Sequence, residues 1–167
     1  MATISHSIII AYFKNLQEKL IGVEDFFRMD LAEIQGSFRS SAKLPCLTAE
    51  SHESDFSNSR TNQSVHNRNF AFTVWYKPEL GNFNEQNQML DESEAMGLKI
   101  IARMRQDATD KNHFLFNKFK VENVKNQKVG PTFNEQLYGY RFTGEISGTQ
   151  PLIVSADDWT DIDSVCS

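Results

Sequence analysis

Ile4, Ile8, Tyr12, Leu16 and Leu20 recur every four residues, with Ile9 and Phe13 beside them. That spacing lines one face of a helix, and Gly22 ends it. Phe27, Met29 and Leu31 then alternate, which predicts a short strand over 25–30. Residues 31–38 carry a mixed pattern compatible with a helical turn. The run 44–50 reads as a strand starting near Pro45. A proline suits a first-residue or edge position, because it has no N–H for a ladder.

Residues 57–69 contain a single apolar side chain, Val65, and read as a long polar loop; loops of that length are usually functional or disordered. In the strand that follows, Phe70, Phe72, Val74 and Tyr76 share one face and Ala71, Thr73 and Trp75 the other. Apolar residues on both faces predict a sheet covered on both sides, and Pro78 stops the strand. A long helix comes next, with Asn84 as its expected N-cap. Glu85, Asp91, Glu92 and Glu94 load its first half and Lys99, Arg103 and Arg105 its last, matching the helix dipole. Leu90, Gly97, Leu98, Ile101 and Met104 form its predicted buried stripe, flanked by Met89, Met96 and Ile100.

Over 113–128 the pattern is mixed, anchored by Phe114, Phe116, Phe119, Val121 and Val124, with strand expected in the later part. Gly130-Pro131 reads as a turn. Alternation returns over 137–146, with Tyr138, Tyr140 and Phe142 opposite Arg141, Thr143 and Glu145. Residues 147–167 read as a short strand followed by an arm. The order predicts one α+β domain over 1–146, with the long loop at 57–69, and a C-terminal extension over 147–167. Its sheet is mostly antiparallel, with the N-terminal helix and the long central helix packed on one face.

Composition sharpens this picture in two places. The 167 residues suit one domain, and 13 phenylalanines supply much of its burial. The net charge of −5 and a pI near 5.4 argue against a dedicated nucleic-acid or anionic-membrane binder. The charge is uneven, however. Residues 99–128 carry eight Lys or Arg against three acids, whereas 154–167 carry Asp157, Asp158, Asp161 and Asp163 with no base. Either the two segments touch, within a chain or head to tail between copies, or each is a solvated face. Cys46 and Cys166 lie 120 positions apart and read as free thiols of a reducing compartment. The N-terminus lacks the pattern of a secretion signal, and no apolar run is long enough to span a bilayer. The expectation is a soluble protein made in the cytoplasm.

Local signatures of chemistry are weak. His6, His52, His66 and His113 have no His or Cys at metal-ligand spacing. His52-Glu53-Ser-Asp55 lacks the second histidine of a metalloprotease helix. The acids at 157–163 lack the glycine and closing glutamate of a calcium loop. Gly139, Gly144 and Gly148 lie in or just after a strand, not between a strand and a helix, so no phosphate loop is predicted. Glu122 and Lys125 are spaced one residue too widely for a Glu-x-Lys nuclease pair, and no Gly-x-Ser-x-Gly elbow occurs. Phe114, Phe116 and Phe119 among Lys118 and Lys120 suit core packing better than a single-strand platform in so acidic a chain. A non-enzymatic protein without metal or cofactor is expected.

Five segments together resemble the tail-terminator and tail-completion (neck connector) proteins of long-tailed double-stranded DNA phages. They are the helix over 4–20, the Leu44-Pro45-Cys-Leu-Thr-Ala-Glu50 strand entering a polar loop, the 70–76 strand, the helix around 90–105, and Tyr138-Gly-Tyr-Arg-Phe142. The resemblance covers roughly residues 4–146 as an order of elements, not a signature sequence. The segment at 22–40 and the acidic arm depart from it. It implies a structural virion protein of the tail or neck, joining head to tail: a homo-oligomeric ring, commonly a hexamer. The tail tube and connector proteins would lie above and below, with DNA passing the lumen unbound and no membrane involved. The charge pattern supplies candidate subunit-interface residues: Arg60 and Arg68 in the polar loop, Lys118, Lys120 and Lys125 in the basic stretch, and Asp157, Asp158, Trp159 and Asp161 in the arm. A different ring of the same neck or tail, or of a contractile injection machine, fits the same pattern. From another class, a cytoplasmic enzyme or small-ligand-binding domain using the sheet–helix cleft is the alternative.

Overall fold

The computed structural model describes residues 4–28, 42–50, 53–60, 63–132 and 136–161. Helix α1 (His6–Lys19) begins at Ser5, whose Oγ accepts from the Ile8 N–H at 3.3 Å. It ends where Gly22 takes a φ of +93°, open to glycine at little cost. Its buried face is Ile9, Tyr12, Phe13 and Leu16. Ile8 is only half-buried, because a strict four-residue repeat drifts by about 40° per step around a helix of 3.6 residues per turn.

Among the described residues six strands form one sheet: β1 (Asp25–Arg28), β2 (Cys46–Glu50), β3 (Ser54–Arg60), β4 (Gln63–Tyr76), β5 (Lys125–Thr132) and β6 (Leu137–Gln150). The order is β1-β2-β4-β6-β5, with β3 also on β4. Among the described residues only the β1–β2 pair is parallel. Strands β2 and β3 share one edge of β4 end to end: Glu50 faces Ala71, Ser54 faces Arg68, and the Asn69 N–H donates to the Glu53 carbonyl between them. The class is therefore α+β with a mostly antiparallel sheet, as the pattern predicts.

Helices α1 and α2 (Phe83–Asp107) pack on one face of the sheet. Phe13 meets Phe70 and Phe72, and the main core joins these to Val74, Ile100, Met104, Leu115, Phe142 and Ile146. The opposite face carries a smaller cluster of Phe27, Cys46, Trp75 and Leu137, and the Trp75 indole donates to Thr48 Oγ1 at 2.8 Å. Every residue from 70 to 76 is buried.

Several expectations are corrected. The expected loop at 57–69 falls in the hairpin strands β3 and β4, although 61–62 lie outside the described residues. Its sequence hides this because neither β3 nor β4 before Phe70 joins a hydrophobic cluster, so no apolar–polar alternation is imposed. Side-chain bonds hold it instead: Asn67 Nδ2 donates to Asp55 Oδ1 at 2.7 Å and to Ser57 Oγ at 3.2 Å. Of the two positions that suit Pro45, the start of a strand holds and the edge does not: it directly precedes β2, which lies between β1 and β4, and its carbonyl accepts from the Glu24 N–H.

The N-cap of α2 is Asn82, not Asn84. Leu98 is 54% exposed, and Ser93 takes a place in the buried stripe. Gly130-Pro131 lies within β5, at an irregularity between Val129 and Thr132. Val121 is exposed rather than an anchor, and Leu115 is fully buried. Strand β6 continues to Gln150, so the short strand expected at the start of 147–167 is the end of β6, and the arm follows from 151. Met29, Leu31, the helical turn expected in 31–38, Asp163 and Cys166 lie outside the described residues.

Candidate functional site

Beyond the main core, β3, the first half of β4 and the end of β6 continue as a three-stranded blade. On its helix-side face Phe56 stacks on His66, with ring centroids 4.4 Å apart, and Arg68 follows two residues along β4. His66 stands opposite Gly148 and Arg68 opposite Ile146. The chain leaving α2 is fastened to the outer edge of β6. The Lys118 carbonyl accepts from the Ser147 N–H at 2.9 Å, and Phe119 bridges to Ile146. That fastening brings Lys118 over the blade. The result is a groove of about 250 Å³ whose walls include Ile4, His66, Arg68, Phe116, Lys118 and Gln150.

The groove is cationic and partly apolar. Among the described residues no carboxylate lines it. His66 Nε2 and Arg68 Nε are shielded from solvent and have no hydrogen-bond partner. Burial, then the neighbouring Arg68 charge, pushes the His66 imidazole below its usual range, against the weaker pull of Asp55. Arg68 and Lys118 supply the fixed positive charge of the groove. Arg68 and Lys118 offer guanidinium and ammonium donors, beside the apolar Ile4 and Phe116, of the kind that a carboxylate can satisfy together.

Of the residues expected at an interface, the fold brings together Arg68 and Lys118. The basic stretch 99–128 is not one patch. Lys99 and Arg103 lie beside Leu16 and Leu20 of α1, and Lys120 borders a depression with Arg105 and Glu122. Lys125 sits with Glu53, Arg141 and Glu145. Arg60 faces Gln63 across the hairpin, and its side chain lies outside the described residues. In the arm, Asp157 and Asp158 fall in a 3-10 turn and are exposed, as are Trp159 (57%) and Asp161. His66 escapes a search for metal spacing. The signal was its two-residue spacing from Arg68, meaningful only once 63–69 is a strand.

A second polar cluster lies where α1 meets the end of α2. The Tyr12 hydroxyl donates to Asp107 Oδ2 at 2.7 Å, Arg103 Nε donates to Oδ1 at 2.8 Å, and His113 Nε2 lies 3.9 Å from Oδ2. It ties two helices together. Among the described residues no group of three or more His, Cys, Asp or Glu is placed to hold a metal, and residues 54–60 form a strand, not a metalloprotease helix. No helix among the described residues is long and apolar enough to cross a membrane. Comparison of the sequence with protein-family models and with curated proteins returns no match.

Proposed function

We propose that this chain is a non-enzymatic virion protein that forms a closed ring in the tail or neck of a long-tailed phage. Its role there is that of a tail terminator or tail-completion protein joining head to tail. The observation that carries the reading is the presence of two unlike surfaces on one chain. One is the cationic groove of Arg68 and Lys118; the other is an exposed arm in which Leu152, Ile153, Val154 and Trp159 are each more than half exposed, beside Asp157 and Asp158. A ring requires a heterologous contact, in which one patch meets a different patch on the next copy. Apolar side chains presented in a row on an extended segment mark an interaction surface.

In this reading the ring is a hexamer, with the tail tube and connector proteins on its two faces, and DNA crosses the lumen without being gripped. The net charge of −5 suits that passage, since a strongly basic lining would hold phosphates. Imaging of the native particle tests the proposal. A map that places the chain in a tail, neck or connector ring supports it; a map that places it elsewhere overturns it.

A further inference from the structure

We infer that the groove over the β4–β6 blade is the seat for the 151–161 arm of a second copy of this chain. The inference rests on the ring reading for its biological setting, but its evidence is local. Among the described residues, the groove presents Arg68 and Lys118 with no lining carboxylate, two shielded nitrogens without partners, and apolar walls from Ile4 and Phe116. The arm presents the complement: Leu152, Ile153 and Val154, then Asp157 and Asp158, then Trp159. Within its own chain the arm begins beside the groove, because Gln150 lines it. Yet residues 151–155 and 157–161 are exposed rather than turned back into it. A neighbouring arm approaches without that reversal. Aromatic anchors in a desolvated pocket carry most of the energy of such contacts, and paired charges set register and rate.

The pairing sets the basic side chains of the groove, Arg68 and Lys118, against the acids of the arm, Asp157 and Asp158. Like charges around the groove and around the arm disfavour arm–arm and groove–groove contacts, leaving the head-to-tail arrangement that a ring needs.

The test is carbodiimide cross-linking of an equal mixture of unlabelled and ¹⁵N-labelled full-length chains, followed by mass spectrometry of the linked peptides. Links from Lys118 to Asp157 or Asp158 that combine both isotopes are expected. Arg68→Gln and Trp159→Ala are each expected to lower their yield about tenfold or more, as loss of a charge partner or aromatic anchor does. Circular dichroism of both variants shows whether they remain folded. Links of a single isotope would mean that the arm folds onto its own chain, and no link would mean that the groove takes something else; either overturns the inference. Imaging separates this from the ring reading. A ring whose arms lie elsewhere sinks the seat and keeps the ring, whereas mixed-isotope links from a chain found outside any ring do the reverse.

Discussion

Gly97 of α2 lies against the ring of Phe142 on β6, and a β-carbon at 97 would overlap that ring. Phe142 cannot easily yield, because its other neighbour is Phe72, stacked at 5.1 Å with the rings 3° from parallel. Two effects therefore oppose each other in Gly97→Ala. Helix propensity favours alanine by about 1 kcal/mol, whereas overpacking a filled core costs about 1–3 kcal/mol and more where the backbone must shift. The variant is expected to be less stable than the parent, with a lower urea midpoint. An unchanged or raised midpoint would show that the helix can move off the sheet.

Ser93 fastens the same helix by a different means. Its hydroxyl donates to the Val74 carbonyl at 2.7 Å and accepts from the Tyr140 N–H at 2.8 Å. Val74 and Tyr140 face each other across β4 and β6, so one buried hydroxyl spans a rung of the ladder. Ser93→Ala is expected to cost about 1–3 kcal/mol, the penalty for buried groups left without a partner. Amide exchange at Tyr140 checks it. Faster exchange is expected in the variant, and equal protection would mean that the two strands close the gap unaided.

The readable parts of the sequence are those where one face meets the core. Phe70, Phe72 and Val74 alternate because the helix side of β4 is filled by Phe13 and its neighbours, and α2 shows its period for the same reason. The hairpin was illegible because Asn67, Asp55 and Ser57 hold each other by side-chain bonds, a pairing that leaves no hydrophobic period. Leu98 fits a buried stripe by hydrophobicity, yet it is exposed, while Ser93 is buried because its hydroxyl bonds to both β4 and β6. As for the groove, Arg68 and Lys118 stood out by charge, but their meeting depends on the Lys118–Ser147 bond, which joins distant segments.

Asp107 makes the helix–helix contact sensitive to acid. Burial opposes its ionisation, but the hydrogen bonds from Tyr12 and Arg103 outweigh that and hold the carboxyl below its usual range, with His113 adding a smaller pull. A carboxyl depressed in the folded state stabilises the protein fully above its unfolded value, about pH 4, and loses that contribution as pH falls through the lower folded value. Asp107→Asn is expected to cost about 1–3 kcal/mol at neutral pH and to flatten the fall in stability below about pH 4. Thermal melts from pH 7 down to about pH 2 make the comparison. Parallel curves for parent and variant would remove Asp107 from the acid response.

On the other face of the sheet Arg141 donates from Nε to Glu50 Oε1 at 2.9 Å and from Nη2 to Oε2 at 2.8 Å. The pair spans β4, since β2 and β6 lie on either side of it. Lysine cannot reproduce a two-pronged contact, so Arg141→Lys is not a conservative change here. A loss of about 1–3 kcal/mol is expected for it and for Glu50→Gln. The double variant is expected to lose less than the sum, which a double-mutant cycle reads directly. Full additivity would mean that the two side chains do not support each other.

Limited proteolysis distinguishes the hairpin from the loop that its composition suggests. Arg68 is a trypsin site, but its backbone lies in β4 between Ser54 of β3 and Ile146 of β6. A protease needs about the length of a strand in extended, unpaired form, so cleavage there requires the blade to open. The arm differs: residues 151–155 belong to no helix or strand, and Leu152, Ile153 and Trp159 are exposed. Chymotrypsin is therefore expected to trim the chain after Leu152 or Trp159 while the bond after Arg68 resists trypsin, as intact-mass measurements over time would show. Assembly is expected to slow the trimming of the arm and leave the already slow cut at Arg68 unchanged. An early tryptic cut after Arg68 in the isolated protein would show that the blade is open before assembly, and that the groove it helps to build forms only against a neighbour.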